Sequence, residues 1–374
     1  MNPPAAGLWP ERHLFGEDRS PGGALARILL APASVAFEIA SRARGALYDR
    51  GILRAERLPV PVVSVGNLTV GGTGKTPFVA WLTARFLSVG RHPAIVLRGY
   101  GARVGALPRR VAAVAADPAS RGGQSDAQTD AHDGNAGPES DEALLLARRF
   151  PSTPVIAGRD RARGARIALA AGADTIVLDD GFQHRALARD LDIVLLDPRV
   201  APGRGRFLPA GPFREPWSAL ARADLLAVVD GPNVAPPGGR PLVRAVRRAL
   251  ALRFAAGRRE PPSSLRGRRV LALSGIGRPE SFRALAESEA CDVVAVSAFR
   301  DHHAFRPDEL ARVLEDAARH RAELVVTTEK DAARLPPAFL DRGDVAILEI
   351  ELAIVEEEDA LVRALEAALH GGAR

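Results

Sequence analysis

The run Thr69-Val70-Gly71-Gly72-Thr73-Gly74-Lys75-Thr76 has the residue types and spacing needed to bind the phosphates of a nucleotide. Glycines at 71, 72 and 74 let backbone N–H groups close around an anion, Lys75 can reach the outer phosphate oxygens, and the Thr76 hydroxyl is a ligand for Mg²⁺. The pattern departs from the strict G-x-x-x-x-G-K-[ST] form only at Thr69, which stands where that form has glycine. Lysine is rare here. Of 51 Lys+Arg residues only Lys75 and Lys330 are lysine, and a compact ammonium surviving in an arginine-rich chain points to a place where a planar guanidinium would not serve.

Asp179 and Asp180 close an apolar run, Thr175-Ile-Val-Leu, and are followed by Gly-Phe-Gln183-His184. An acid at the carboxyl end of a buried strand beside a phosphate loop is where Mg²⁺ finds an oxygen ligand. Successive strand residues face opposite ways, so both carboxylates reach one metal only if the chain has already turned. Asp301-His302-His303 follows another apolar run and carries two of eight histidines. Such loop histidines suit proton handling on an acceptor, or simply a solvated turn. Asp141 sits where a helix begins and reads equally as a base or as a cap. The segment from Gly203 to Pro216, with Arg204, Arg206 and Arg214, is either a grip for an anionic substrate or a long turn.

These residues need a frame of strands ending at one edge. Residues 60 to 76 open with a β-branched apolar run ahead of the glycines, and an apolar-periodic helix from about Pro77 to Val89 follows them. Further strands are predicted at Pro93–Leu97, Pro154–Ala157, Ala173–Leu178, Leu191–Leu196 and Leu225–Val229, with helices near Ser140–Phe150 and Arg161–Ala171. Strands that read as continuous apolar runs alternating with helices imply a mostly parallel sheet covered on both faces. A Pro/Gly cluster at 231–239 marks a boundary. Beyond an extended segment near Leu242–Phe254 the alternation restarts at Val270–Leu273, Val293–Ser297, Leu324–Thr327 and Val345–Leu352. The expected fold is therefore α/β: a P-loop NTPase-type parallel-sheet domain over 59–235, and a linker with a second, smaller α/β lobe over 236–374. Residues 115–138 lack any apolar period and read as a disordered insertion.

At 374 residues and 47% hydrophobic, the chain can bury two α/β cores. A single cysteine, Cys291, excludes a disulfide framework, and no Cys/His spacing suits zinc. The net charge of +6 is spread among 45 acids, and 5% aromatic residues provide no base-stacking platform, so nucleic acid is not an indicated partner. Residues 1–58 stand apart. The apolar stretch Ala24–Ala40, interrupted by Arg27, Pro32 and Glu38, precedes Arg42, Arg44, Arg50, Arg54 and Arg57. This combination suits an amphipathic helix lying on an anionic membrane surface, or a helix packed on the domain.

Taken in order, Ser-Val-Gly-Asn-Leu-Thr-Val-Gly-Gly-Thr-Gly-Lys-Thr-Pro, Arg98-Gly-Tyr100-Gly, Asp-Asp-Gly-Phe-Gln-His, Leu-Pro-Ala-Gly-Pro-Phe-Arg-Glu-Pro, Asp-His-His and Thr-Glu-Lys-Asp span Ser64 to Asp331. This series resembles the tetraacyldisaccharide 4'-kinase family of lipid A synthesis, which carries Ser or Thr at the position of Thr69. The resemblance implies transfer of the γ-phosphate of ATP, with Mg²⁺, to the 4'-hydroxyl of an acylated glucosamine disaccharide 1-phosphate, giving lipid IVA at the cytoplasmic face of the bacterial inner membrane. It implies no obligate protein partner. Carried over by position, Thr69 to Thr76 bind nucleotide, Thr76, Asp179 and Asp180 lie in the metal region, Asp141 and His302 form an acid/base pair, and Arg98 and Tyr100 face the lipid substrate. A different reading is a P-loop GTPase-type switch or metallochaperone. It rests on Glu329-Lys330-Asp331, which approximates the guanine-reading Asn-Lys-x-Asp but lacks the intervening residue.

Overall fold

A computed structural model describes residues 14–16, 20–99, 107–111, 140–200, 205–232 and 239–371. Tyr100 and the polar stretch 115–138 lie outside the described residues. The strands are β1 (Val62–Asn67), β2 (Pro93–Leu97), β3 (Arg109–Arg110), β4 (Val155–Ala157), β5 (Thr175–Asp179), β6 (Leu191–Leu196), β7 (Leu225–Val229), β8 (Leu242–Arg253), β9 (Arg259–Glu260), β10 (Arg269–Ser274), β11 (Asp292–Ala298), β12 (Leu324–Thr328) and β13 (Val345–Glu356). They form one 13-stranded sheet in the order β11-β10-β12-β13-β8-β7-β6-β1-β5-β2-β4-β3, with β9 beside β8. Among the described residues the mostly parallel α/β architecture expected from the apolar runs is present.

Period-two alternation distributes each strand between two cores. Val63, Val65 and Val177 face the helices Lys75–Ser88, Asp141–Arg149 and Glu358–Gly371, whereas Val62, Ile176 and Leu178 face the helix Arg161–Ala170. In the second half, Val270, Ala272 and Val326 pack on the helix Pro279–Glu287, and Leu271, Leu273 and Val325 pack on the helix Pro307–Arg319. The last helix, within the stretch 236–374, returns to the first half, where Leu361, Leu365 and Ala368 join the core of the P-loop helix.

The register of β8 and β13 decides how the halves face each other. All pairs from β7 to β4 are parallel, as are β11-β10-β12-β13, but β13 runs antiparallel to β8. The two half-sheets therefore point in opposite directions. They are also displaced along the β8–β13 ribbon: β7 ends opposite Ala245, while β12 ends opposite Leu348, which itself pairs with Leu252. Ala245 and Leu252 are seven residues apart along β8, roughly 23 Å at the usual strand rise. The carboxyl ends of both half-sheets thus face each other across the middle of the ribbon. In α/β sheets that edge is where ligands bind, and here two such edges share one cleft.

The N-terminal helix runs from Pro21 to Asp49, capped by Ser20, whose hydroxyl accepts from Gly23 N at 3.0 Å. One stripe docks. Ser34 donates to Phe207 O, Ser41 to Arg214 O, and Arg185 reaches Gly45 O. Leu25, Ile28, Val35 and Ile39 lie on the opposite side and are exposed, and the helix is long and apolar enough to cross a membrane.

Gly66 shows how tightly β1 meets the turn after β5. A Cβ there would lie 2.5 Å from Phe182 Cβ and 2.7 Å from its backbone N. We expect Gly66→Ala to destabilise the fold by roughly 1–3 kcal/mol or more, because the obstacle is backbone that cannot rotate away. The urea unfolding midpoint measures this, and an unshifted midpoint contradicts it.

Candidate active site

The phosphate loop is the connection from β1 to the helix Lys75–Ser88, which begins two residues earlier than the apolar period indicates. Gly74 occupies the helix N-cap at φ 88° without a side-chain cap, so the first-turn N–H groups stay open to an anion. A Cβ at Gly74 would also meet Val229 at 2.9 Å, at the end of β7. The loop is braced from outside by Val70 N donating to Pro212 O at 2.9 Å and from within by Asn67 Nδ2 donating to Thr73 Oγ1 at 3.0 Å. Residues Thr69 to Thr76 all line a cleft of about 390 Å³.

The two acids after β5 have different environments. Asp179 is the last strand residue and is buried. Burial pushes its carboxyl up to about 7, with the charge of Glu142 adding to the effect and Lys75 opposing it. The chain turns immediately afterwards, since Asp180 has φ 56°, and its carboxylate faces Lys75 Nζ at 3.5 Å. Arg214 grips Asp180 with two 2.8 Å hydrogen bonds and also donates to Asn67. Burial works against ionisation of Asp180 too, but the charges of Lys75 and Arg214 outweigh it and hold the group far below the usual carboxylate range. The basic loop 203–216 therefore contributes Arg214 as a brace for Asp180.

Across the cleft, the loop after β11 presents Asp301 and His302, and the short helix after β12 presents Glu329 and Lys330. His302 Nδ1 lies 2.9 Å from Asp141 Oδ2, joining a residue of the second half to the first residue of the helix Asp141–Arg149. Arg334 Nε approaches the same oxygen at 3.1 Å. Burial opposes ionisation of Asp141, but the His302 hydrogen bond and the charges of Arg334 and Lys330 prevail and lower its carboxyl below the usual range. The cleft wall on this side is partly apolar, with Ile276, Phe282, Leu285 and Ile350, and can cover a nucleoside while the glycine loop holds its phosphates.

The sequence as a whole matches a known enzyme family. The family described as Tetraacyldisaccharide-1-P 4'-kinase matches residues 26–370. The chain belongs to the tetraacyldisaccharide 4'-kinase family. The tetraacyldisaccharide 4'-kinase of Anaeromyxobacter dehalogenans (strain 2CP-1 / ATCC BAA-258) is 44% identical over 94% of this chain and 93% of that protein. That of Syntrophus aciditrophicus is 36% identical over 90% and 91% respectively. The crystal structure of LpxK from Aquifex aeolicus, described as an "apo" form in complex with ATP, superimposes with a TM-score of 0.70 at 32% identity, over 92% of this chain and 99% of that one.

Within the kinase-family frame several residues acquire a place that their local sequence did not indicate. Arg98 stands exposed just beyond β2. His303 does not join His302: it pairs with Glu309 at 2.7 Å and stacks on Phe299. Asp331, the acid of the guanine-reading approximation, is buried, accepts from Gly275 N at 3.0 Å and from the Thr328 hydroxyl, and pairs with Arg334. It staples the loop after β10 and is not available to a base. Arg334 and Asn67 carry no signal in the sequence, because the partners that bring them to the site, Asp141 and Arg214, are distant in the chain. The excess of arginine over lysine was the one available signal for Lys330.

Proposed function

We propose that this chain transfers the γ-phosphate of ATP to the 4'-hydroxyl of tetraacyldisaccharide 1-phosphate, yielding lipid IVA and ADP in lipid A biosynthesis. The observation that carries the mechanism is the Asp141–His302 pair at the shared edge with the phosphate loop, since transfer needs a phosphate cradle and a proton acceptor in one cleft. Lys75 and the backbone N–H groups of the loop and first helical turn bind and neutralise the β- and γ-phosphates. The acceptor hydroxyl attacks Pγ, its oxygen–phosphorus bond forms as the bond to the ADP oxygen breaks, and its proton passes to Asp141. In a loose phosphoryl-transfer transition state the proton is released only as the new bond forms, so a carboxylate of low basicity suffices provided it is ionised.

Mg²⁺ fits the donor set. Among the described residues no group of three His, Cys, Asp or Glu could cage an ion alone, and Mg²⁺ is commonly held by one or two carboxylates together with substrate phosphates. Thr76 and Asp179 would hold it, with Asp180 engaged by Arg214 and Lys75. Bound there, the ion would supply charge neutralisation for the transferring phosphoryl group. In this reading Arg98 and Tyr100 would serve the lipid substrate, residues 59–235 would form the P-loop domain, and residues 236–374 the second lobe apart from its returning helix.

The decisive experiment is mass spectrometry of the product formed from a defined disaccharide lipid with Mg²⁺ and ATP, expected to show one added phosphate at the 4' position. GTP-selective binding without transfer would instead establish the switch reading.

The exposed apolar face of the N-terminal helix, with Arg42, Arg44, Arg50, Arg54 and Arg57 in and beyond its second half, supports attachment to an anionic bilayer, which in this reading is the cytoplasmic face of the inner membrane. Deleting residues 24–57 is expected to reduce activity on vesicle-embedded substrate more than on detergent-dispersed substrate. The vesicle binding that is lost should be salt-sensitive, with each basic residue near the surface contributing about 1 kcal/mol. Equal losses in both assays would assign the helix to packing alone.

A further inference from the structure

His302 lies between two carboxylates. Its Nδ1 is 2.9 Å from Asp141 Oδ2, and its Nε2 is 3.7 Å from Asp301 Oδ2. An imidazole flanked in this way has no inherent preference for a proton on one nitrogen. Lys330 breaks the symmetry. Its Nζ lies 2.8 Å from Asp301 Oδ1 and 3.4 Å from His302 Nε2. An ammonium group has three donors and no lone pair, so the Nε2 that faces it must present a lone pair. The ring proton then sits on Nδ1 and is donated to Asp141 Oδ2.

We propose that Lys330 is a positioning residue for phosphoryl transfer: by neutralising Asp301 and occupying Nε2 it holds the His302 proton on Nδ1, which keeps Asp141 oriented and ready to accept the acceptor's proton. The inference rests on the acid/base reading of Asp141 and His302. The rest of the cluster is consistent with it. His302 and Arg334 both engage Oδ2 of Asp141, while its Oδ1 has no hydrogen-bond partner among the described residues and remains for the incoming hydroxyl. The charged groups that face His302 are Asp141 from the helix Asp141–Arg149, Asp301 from its own loop, Lys330 from the helix after β12, and Arg334, which acts through Asp141. Lysine also suits the position better than arginine. A guanidinium would pair its planar fork with Asp301, whereas a compact ammonium can address Asp301 and the ring nitrogen together.

The test uses the full chain labelled with ¹⁵N-histidine, the His302 signals being identified by their loss in His302→Gln. The wild-type ring is expected to carry its proton on Nδ1 and a lone pair on Nε2. In Lys330→Ala, Nε2 is expected to gain a proton, and in Lys330→Ala/Asp301→Asn, which removes the carboxylate that attracts it, the wild-type pattern should return. Kinetically, Lys330→Ala should move the acid limb of the kcat profile towards neutral pH by about one unit. KM for ATP should change by less than about twofold, and the double variant should move the limb back. A His302 ring unchanged by Lys330→Ala overturns the proposal, as does an activity loss expressed wholly in KM for ATP, which would make Lys330 a phosphate ligand. A ring that changes while the pH profile stays fixed would leave the effect of Lys330 on His302 standing and refute the acid/base role of the pair.

Discussion

Lys75→Ala is expected to reduce 4'-phosphorylation by at least about 10³-fold in kcat while leaving the chain folded. The reasoning starts from what Lys75 touches. Its ammonium lies in the cleft 3.5 Å from Asp180, and the helix it opens is anchored by Phe78, Val79, Leu82 and Phe86, all fully buried. Removing the lysine side chain leaves those contacts untouched, and Asp180 keeps both bonds to Arg214. The charge that develops on the transferring phosphoryl group would lose the ammonium that the glycine loop itself brings to the cleft. Lys75→Arg should restore little, because a guanidinium presents a flat fork rather than a compact point charge. Steady-state kinetics with a lipid acceptor, beside a thermal unfolding curve, measures both halves of the expectation. A well-folded Lys75→Ala with near-native turnover would remove the phosphate loop from the mechanism.

Asp141→Ala and His302→Ala are each expected to lower kcat by about 10²-fold or more, and the double variant to be scarcely worse than the poorer single one. The 2.9 Å contact joins two elements of opposite half-sheets, so the proposed acid/base pair should behave as one unit. Loss of His302 frees Asp141 from the bond that orients it and leaves Arg334 as its strongest partner, at 3.1 Å. Loss of Asp141 removes the acceptor itself. Strictly multiplicative losses would indicate independent roles. A nearly silent Asp141→Ala would return that residue to capping a helix and direct attention to Asp179 as the base.

Much of this site is legible in the linear chain because phosphate chemistry is local. A glycine loop between a β-branched run and a helix, and two acids closing an apolar strand, need only neighbours in sequence to declare themselves, and the strands at Pro93–Leu97, Leu191–Leu196 and Leu225–Val229 fall where the apolar runs place them. Local pattern also separates the N-terminal amphipathic helix from the sheet. It does not reveal which partner a loop side chain finds. Arg214 reads equally as an anion grip or a turn residue until its guanidinium is seen on Asp180, 34 residues away. His302 and His303 are indistinguishable as neighbours, yet one turns to Asp141 and the other to Glu309.

Residue chemistry and periodicity along the chain specify the glycine-loop pattern, the acids at the end of the apolar strand and the α/β class, while the family resemblance rests on the ordered series of motifs. The union of the two halves into one site was decided only in three dimensions, by the antiparallel, displaced register of β8 and β13. That register turns two carboxyl edges towards each other and closes 161 residues of separation into one hydrogen bond between Asp141 and His302. The physical reason is that strand periodicity encodes which face of a strand is buried, whereas the direction and offset of two paired strands depend on contacts between segments far apart in the chain.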